Sequence, residues 1–345
     1  MIKDSEGSFK LKFKALTMII SKTDNNIKRY FLVYTIFSII IAIFLSYTFQ
    51  SYVVRYSRIL TLLIVIFAVI TIGPSMLQLK VEVIPKALHK WKAIMVMVFY
   101  SFIVMPLLAL LFAHILINKY FGAAFVISSS MPAASGSLAY ILISGGDLEL
   151  GTIIIVLGIF FTLFAAPFWA DIYTDHLALV IPAAAILKPV IYILLTSFIL
   201  GQIIRLIIIK FKGKKFIADK ISVHLRVLTM ISTIFLLFFA ILDEGFAIIN
   251  NPLLLFYLLL SYGAIAFTIL LTGTVINKFI GLPYNENQAV IFTSGAKNMS
   301  LAIVIATISI GHGAAMVPAI GAIIFRIAPV TYLKFTSYLK RLFLK

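Results

Sequence analysis

The sequence contains no cysteine, which excludes disulfides, thiolate metal sites and thiol catalysis. Charge is scarce as well: only 12% of residues are charged, about half the fraction of an average soluble domain. The 12 acids all fall in loops or near the ends of apolar runs, so no carboxylate is expected at mid-membrane depth. There is no HExxH, GxSxG or P-loop pattern, and His89, His114, His176, His224 and His312 are scattered without metal-ligand spacing. These absences disfavour an enzyme and name neither a cofactor nor a metal site.

Apolar residues are abundant instead, at 62% of the chain with a mean hydropathy of +1.12. A water-soluble surface cannot be assembled from that composition. Runs of about 20 apolar residues, enough to cross a bilayer, recur at roughly 31–50, 59–77, 93–117, 120–144, 150–170, 188–210, 222–245, 253–277, 288–309 and 315–333. The expected fold is therefore an all-α integral membrane protein of about ten helices. It divides into a basic segment over 1–30 and a membrane domain over 31–345.

The net charge of +17 invites a nucleic-acid reading, but its distribution supports topology. With the N-terminus inside, 22 of the 29 Lys and Arg lie on the inner side, and Arg55, Arg58, Lys119 and Lys188 lie outside. Arg205, Lys297 and Arg326 fall within spans. That bias is what the positive-inside rule requires, and it places both termini in the cytoplasm of a cell-membrane protein. The first thirty residues lack the apolar core and cleavage site of a signal peptide. They read either as a basic segment against anionic lipid or as a solvated tail.

A linker over 171–182 separates two sets of five spans, about 31–170 and 188–333. Five is odd, so a duplicated five-span unit inserts in opposite orientations, the inverted-repeat plan of many secondary transporters. The fourth span of each set is unusual. The first contains SSSMPAASGS from Ser128 to Ser137, and the second contains TSGAKNMS from Thr293 to Ser300. Pro132 removes a backbone donor and disfavours helix at Met131, and Gly136 and Gly295 loosen the helix further. Small residues also permit close helix packing, but interruption in both matching positions points to two broken helices crossing near the midplane.

Lys297 stands about nine residues into its span, roughly 13 Å at the helical rise. A cation at that depth costs about 2.5 to 3.5 kcal/mol on insertion scales unless it is compensated, which makes it a functional candidate by default. Arg205 and Arg326 lie nearer the inner face and are expected to snorkel.

These segments resemble the signature motifs of the bile acid:sodium symporter family and its arsenite-efflux relatives. PAASGS from Pro132 to Ser137, followed by Gly146-Asp147, resembles the family's PGGTASN…GN/GD fourth span. SGAKNMSLA from Ser294 to Ala302 resembles its E-x-G-x-Q-N-x-x-L-A ninth span, and MPLLA from Met105 to Ala109 is similar to its third. The resemblance implies two inverted five-helix repeats forming a panel and a core domain, with helices 4 and 9 crossing in the core. It also implies that the family's sodium sites are largely lost. Ser137 keeps a serine, but Leu138 replaces asparagine, and Gly151 and Ile155 fall where hydroxyls are offered. Thr293 replaces the shared glutamate, Lys297 a glutamine, and Ser101 stands at the third-span glutamine. Hard cations want several oxygens, normally with a carboxylate.

The expectation is a secondary active transporter of small or amphipathic organic anions, embedded in the bilayer and not binding nucleic acid. Lys297 would act as a tethered cation in place of sodium, able to carry a coupling proton. The candidate substrate and coupling residues are Ser130, Ser135, Ser137, Thr293, Ser294, Lys297, Asn298 and Ser300, with none catalytic. An oxyanion or metalloid efflux carrier is the nearest alternative, although thiol coordination of arsenite is excluded. A non-transporting membrane sensor or enzyme is another.

Overall fold

In the computed structural model, the described residues are 26, 30–83, 85, 89–116, 118–175, 181–217, 221–311 and 313–344. The basic segment over 1–30, apart from positions 26 and 30, lies outside them, as do His176 and His312. Those described form helices: α1 Tyr30–Thr48, α2 Ser57–Gln78, α3 Trp91–Ala113, α5 Leu148–Asp175, α6 Ala183–Lys212, α8 Pro252–Phe279 and α10 Met316–Leu333. Helix α7 spans Ser222–Asn250. The remaining two spans are interrupted, α4a Lys119–Ser129 and α4b Ser137–Ser144, and α9a Tyr284–Gly295 and α9b Met299–Ile310. A final helix, α11, covers Thr336–Leu344. Among the described residues, eight helices are long and apolar enough to cross a membrane.

The helix ends depart from the hydropathy reading where polar residues continue a helix beyond its apolar stretch. Helix α5 runs through Asp171 to Asp175, so the linker expected from residue 171 is helical at its start. Helix α7 continues past Asp243, which thus lies well inside the helix rather than at its end. Helix α6 begins five residues before the expected position 188 and opens into a π-turn over Val190–Leu195.

Two packing groups organise the molecule. Helices α1, α2, α6 and α7 form one, with α2 against both α6 and α7. Within it, the Ser46 hydroxyl on α1 accepts the Phe246 N–H of α7 at 3.0 Å. Helices α3, α4, α5, α8, α9 and α10 form the other, in which α8 lies against α10 and α9a.

The expectation that Arg205 snorkels is corrected by its burial. Arg205 is 3% exposed, donates twice to the Glu82 carboxylate at 2.8 and 3.3 Å, and reaches the Leu77 carbonyl at 3.3 Å. Gln202, one helical turn earlier, donates to the Met76 and Leu79 carbonyls. These carbonyls lie at the α2 C-terminus, where a helix leaves acceptors open, and the Met76 carbonyl also takes the Leu79 N–H at 3.3 Å; α6 thus caps α2 with side chains, and Gly201 lets the two backbones approach. Burial pushes the Glu82 carboxyl up, but the Arg205 hydrogen bonds and charge outweigh it and hold the group below its ordinary value.

Candidate functional site

The two interruptions meet. Between α4a and α4b, and between α9a and α9b, the chain is extended, and Ala133 pairs antiparallel with Lys297. The Ala134 N–H donates to the Ala296 carbonyl at 2.8 Å, and the Asn298 N–H donates to the Pro132 carbonyl at 2.8 Å. Unpaired backbone groups are intolerable in a bilayer core unless protein satisfies them, and here each break supplies the partners of the other. Pro132 brings no N–H of its own, so the pairing leaves no donor orphaned at that residue.

The side chains tighten this crossing. Asn298 caps α9b, its Oδ1 accepting the Leu301 N–H at 3.2 Å. The Thr162 hydroxyl of α5 reaches the Ser130 carbonyl at 3.4 Å, and the Ser128 and Tyr262 hydroxyls are 2.7 Å apart.

Lys297 is 3% exposed. Its Nζ donates to the Ser101 carbonyl at 3.0 Å and lies 5.2 Å from the centre of the Phe102 ring, a cation–π separation. The availability of that carbonyl follows from local sequence. Helix α3 widens into a π-turn over Tyr100–Val104, in which the Met105 N–H donates to the Tyr100 carbonyl. The next residue, Pro106, has no N–H. The carbonyls of Ser101 and Phe102, five and four residues earlier, therefore lose the helical donor that Pro106 would supply. Lys297 takes the first, and the Trp169 indole N–H takes the second at 2.7 Å. The MPLLA stretch is thus where α3 is opened to receive one donor from α9 and one from α5.

The remaining candidates divide. Ser294 joins the crossing through the Ser101 hydroxyl, which donates to it at 3.3 Å. Ser137 is fully buried, and its hydroxyl has no hydrogen-bond partner among the described residues. Ser135 and Ser300 are half-buried beside the break. Thr293 and Ser130 instead turn back on their own helices: Thr293 donates to Ala289 and Val290, and Ser130 to Val126. Gly136 has φ −61° and is exposed, a conformation open to any residue. Gly295 sits where a Cβ would press on the Leu270 side chain, so its role is close packing of α9a on α8.

Side chains that the sequence reading passed over form a second buried polar layer. The Tyr100 hydroxyl donates to Asn277, whose amide donates to Asn287 at 2.8 Å, and Thr274 and Tyr332 share a hydrogen bond at 2.7 Å. Asn277, Asn287 and Gln288 lie near expected span ends, where polar residues are ordinary, so only their burial marks them. Outside the membrane segments, Asp147 accepts the Leu150 N–H at 2.9 Å and pairs with Lys90. Burial raises its carboxyl, but the Leu150 N–H and the Lys90 ammonium hold it below its usual value.

A cavity of about 700 Å³ opens between α3, α5 and α6, lined by apolar residues that include Phe102, Phe161, Phe164 and Trp169. It backs onto the crossing through the Phe102 ring.

The family model described as "Sodium Bile acid symporter family" matches residues 59–251. The chain belongs to that family. The match runs from α2 to the end of α7 and includes the α4 break, while Lys297 lies beyond it. No curated protein matches the chain. As a sodium bile acid symporter family member with many apolar helices, it is a multi-pass membrane transporter.

Proposed function

We propose that this chain is a secondary active carrier of small or amphipathic organic anions, driven without sodium and coupled to protons through Lys297. The observation that carries the reading is the Lys297 ammonium at the crossing. It has one carbonyl and one ring face as neighbours and, among the described residues, no carboxylate in ion-pair range. Bound sodium would need several oxygen ligands, and an ammonium already seated here repels it. Thr293 offers only a neutral hydroxyl oxygen, hydrogen-bonded to its own helix, where a hard cation normally wants a carboxylate.

In this reading the lysine supplies internally the positive charge that holds α3, α4 and α9 together, and its proton is the coupling ion. Two inverted repeats, about 31–170 and 188–333, account for the matching breaks. Transport is rocking of the α3–α4–α5–α8–α9–α10 group against the other, opening the crossing to each side in turn. The N- and C-termini are cytoplasmic in a cell-membrane protein, following the Lys and Arg bias. Ser135, Ser137, Asn298 and Ser300 face the substrate, and Ser294 and Ser101 serve the lysine.

The test is uptake of labelled organic anions into proteoliposomes under an imposed sodium gradient, proton gradient or neither. Uptake driven by the proton gradient and lost in Lys297→Ala is expected. Strict sodium dependence, or full activity in Lys297→Ala, sinks the reading.

A further inference from the structure

Helix α10 ends at Leu333 and α11 opens at Thr336, with the Leu339 N–H donating back to the Phe335 carbonyl at 3.0 Å. Helix α11 therefore starts where the chain leaves the bilayer. At 3.6 residues per turn, Phe335, Tyr338, Leu339, Leu342 and Phe343 fall on one side of it, and Ser337, Lys340 and Arg341 on the other. Only part of the apolar side meets protein. Leu339 packs against the core, and the Phe343 ring meets Tyr284 edge-on, 5.8 Å between centres. Phe335 and Tyr338 are left 54% and 70% exposed, and Lys334, Lys340 and Arg341 are exposed as well.

Two exposed aromatic rings with lysine and arginine alongside, directly beyond a span, suit the headgroup layer. There the rings reach the acyl boundary while the cationic ends stay among the phosphates. The charge also selects the lipid. From Lys334 onward the sequence carries Lys334, Lys340, Arg341 and Lys345 and no acid, so an anionic surface attracts it and a zwitterionic one does not. Through Tyr284 the same helix touches both crossing helices. Tyr284 opens α9a, and its hydroxyl donates to the Ser144 carbonyl at the end of α4b at 3.0 Å. The Asp147 N–H, just beyond α4b, donates to the Asn285 carbonyl at 3.0 Å.

We propose that α11 binds the anionic phospholipid headgroups of the leaflet at which α10 ends, and that Phe343 transmits this seating to the joined ends of α4b and α9a. Phe335 and Tyr338 insert between the headgroups, and Lys334, Lys340 and Arg341 engage the phosphates, the guanidinium through paired hydrogen bonds. On the orientation proposed above, that leaflet is the cytoplasmic one. Anionic lipid then steadies the two broken helices from outside the crossing, whatever the chain carries.

Because the chain has no cysteine, Tyr338→Cys and Ser337→Cys each give a single site for an environment-sensitive fluorophore. The labelled proteins are reconstituted in phosphatidylcholine nanodiscs with and without phosphatidylglycerol, and quenched with headgroup-proximal spin-labelled lipid or aqueous iodide. With phosphatidylglycerol, the label at position 338 is quenched by the lipid and shielded from iodide, and the label at position 337 shows the reverse. Phosphatidylglycerol also raises the melting temperature of the unlabelled wild type, less so at high salt. R341Q raises the phosphatidylglycerol content needed for half that shift about fivefold, and K334Q/K340Q/R341Q abolishes it, each variant being compared with itself in phosphatidylcholine. Iodide quenching at both positions overturns the proposal, as does a position 338 shielded from lipid and iodide alike, which marks a protein contact. An equal shift in the triple variant assigns the lipid response to another basic segment, such as that over 1–30, and overturns it too. Phe343→Ala keeps the quenching pattern at position 338 and loses the thermal shift; an unchanged shift overturns the coupling to α4b and α9a.

Discussion

At the residue scale, Lys297→Met removes the internal cation and leaves the Ser101 carbonyl without its donor; a destabilisation of about 1–3 kcal/mol in thermal melts, with uptake abolished, is the expected pair of results. Trp169 offers a second residue-scale test. Its indole N–H fills the Phe102 carbonyl that Pro106 leaves open, so Trp169→Phe exposes a buried acceptor and destabilises the protein by about 1–3 kcal/mol. Pro106→Ala returns a backbone N–H to α3, and the double variant recovers part of that loss. Additive effects in thermal melts of the single and double variants would rule out this account. The π-turn, the proline, the indole and the lysine are a single device read at four positions.

At the scale of elements, helices are joined by side chains that satisfy one another's open ends. Glu82 with Arg205 ties α6 to the segment after α2, and Asp147 with Lys90 ties the start of α5 to the segment before α3. Both carboxyls are held below their ordinary values of 4.5 and 3.8. A depressed carboxyl contributes stability that is present above its unfolded-state value and lost as pH falls through the folded-state value. The melting temperature of the purified protein should therefore hold down to about pH 5 and fall below about pH 4, with a shallower fall in Asp147→Asn. A wild-type melting temperature that does not fall more steeply than that of the variant counts against the pairing. Packing between α8 and α9a is the other element-scale test. Gly295→Ala presses a methyl group on Leu270 and destabilises, and Leu270→Ala in the same protein relieves the contact, which a double-variant thermal melt would show as coupling.

Over the whole molecule, the sequence by itself determined the class, the approximate positions of the spans and the positions of the two breaks, because hydropathy and proline chemistry are local properties. It marked Lys297 as anomalous by depth alone. It misjudged how Arg205 is accommodated, since snorkelling was inferred from distance to a helix end, whereas its guanidinium is claimed by Glu82, 123 positions away in the chain. It also gave no weight to Trp169 or to the Tyr100–Asn277–Asn287 layer, whose members are ordinary until they are brought together. Which hydroxyls face the crossing and which turn back on their own helices, as Thr293 and Ser130 do, depends on helix rotation, and rotation is set by packing. Only the tertiary structure decided that the two breaks answer each other's backbone hydrogen bonds, and that the lysine completes a carbonyl vacated by a proline on a third helix. The physical reason is the bilayer: with no water to satisfy a polar group at that depth, each partner must come from elsewhere in the chain, at a separation that local pattern does not encode.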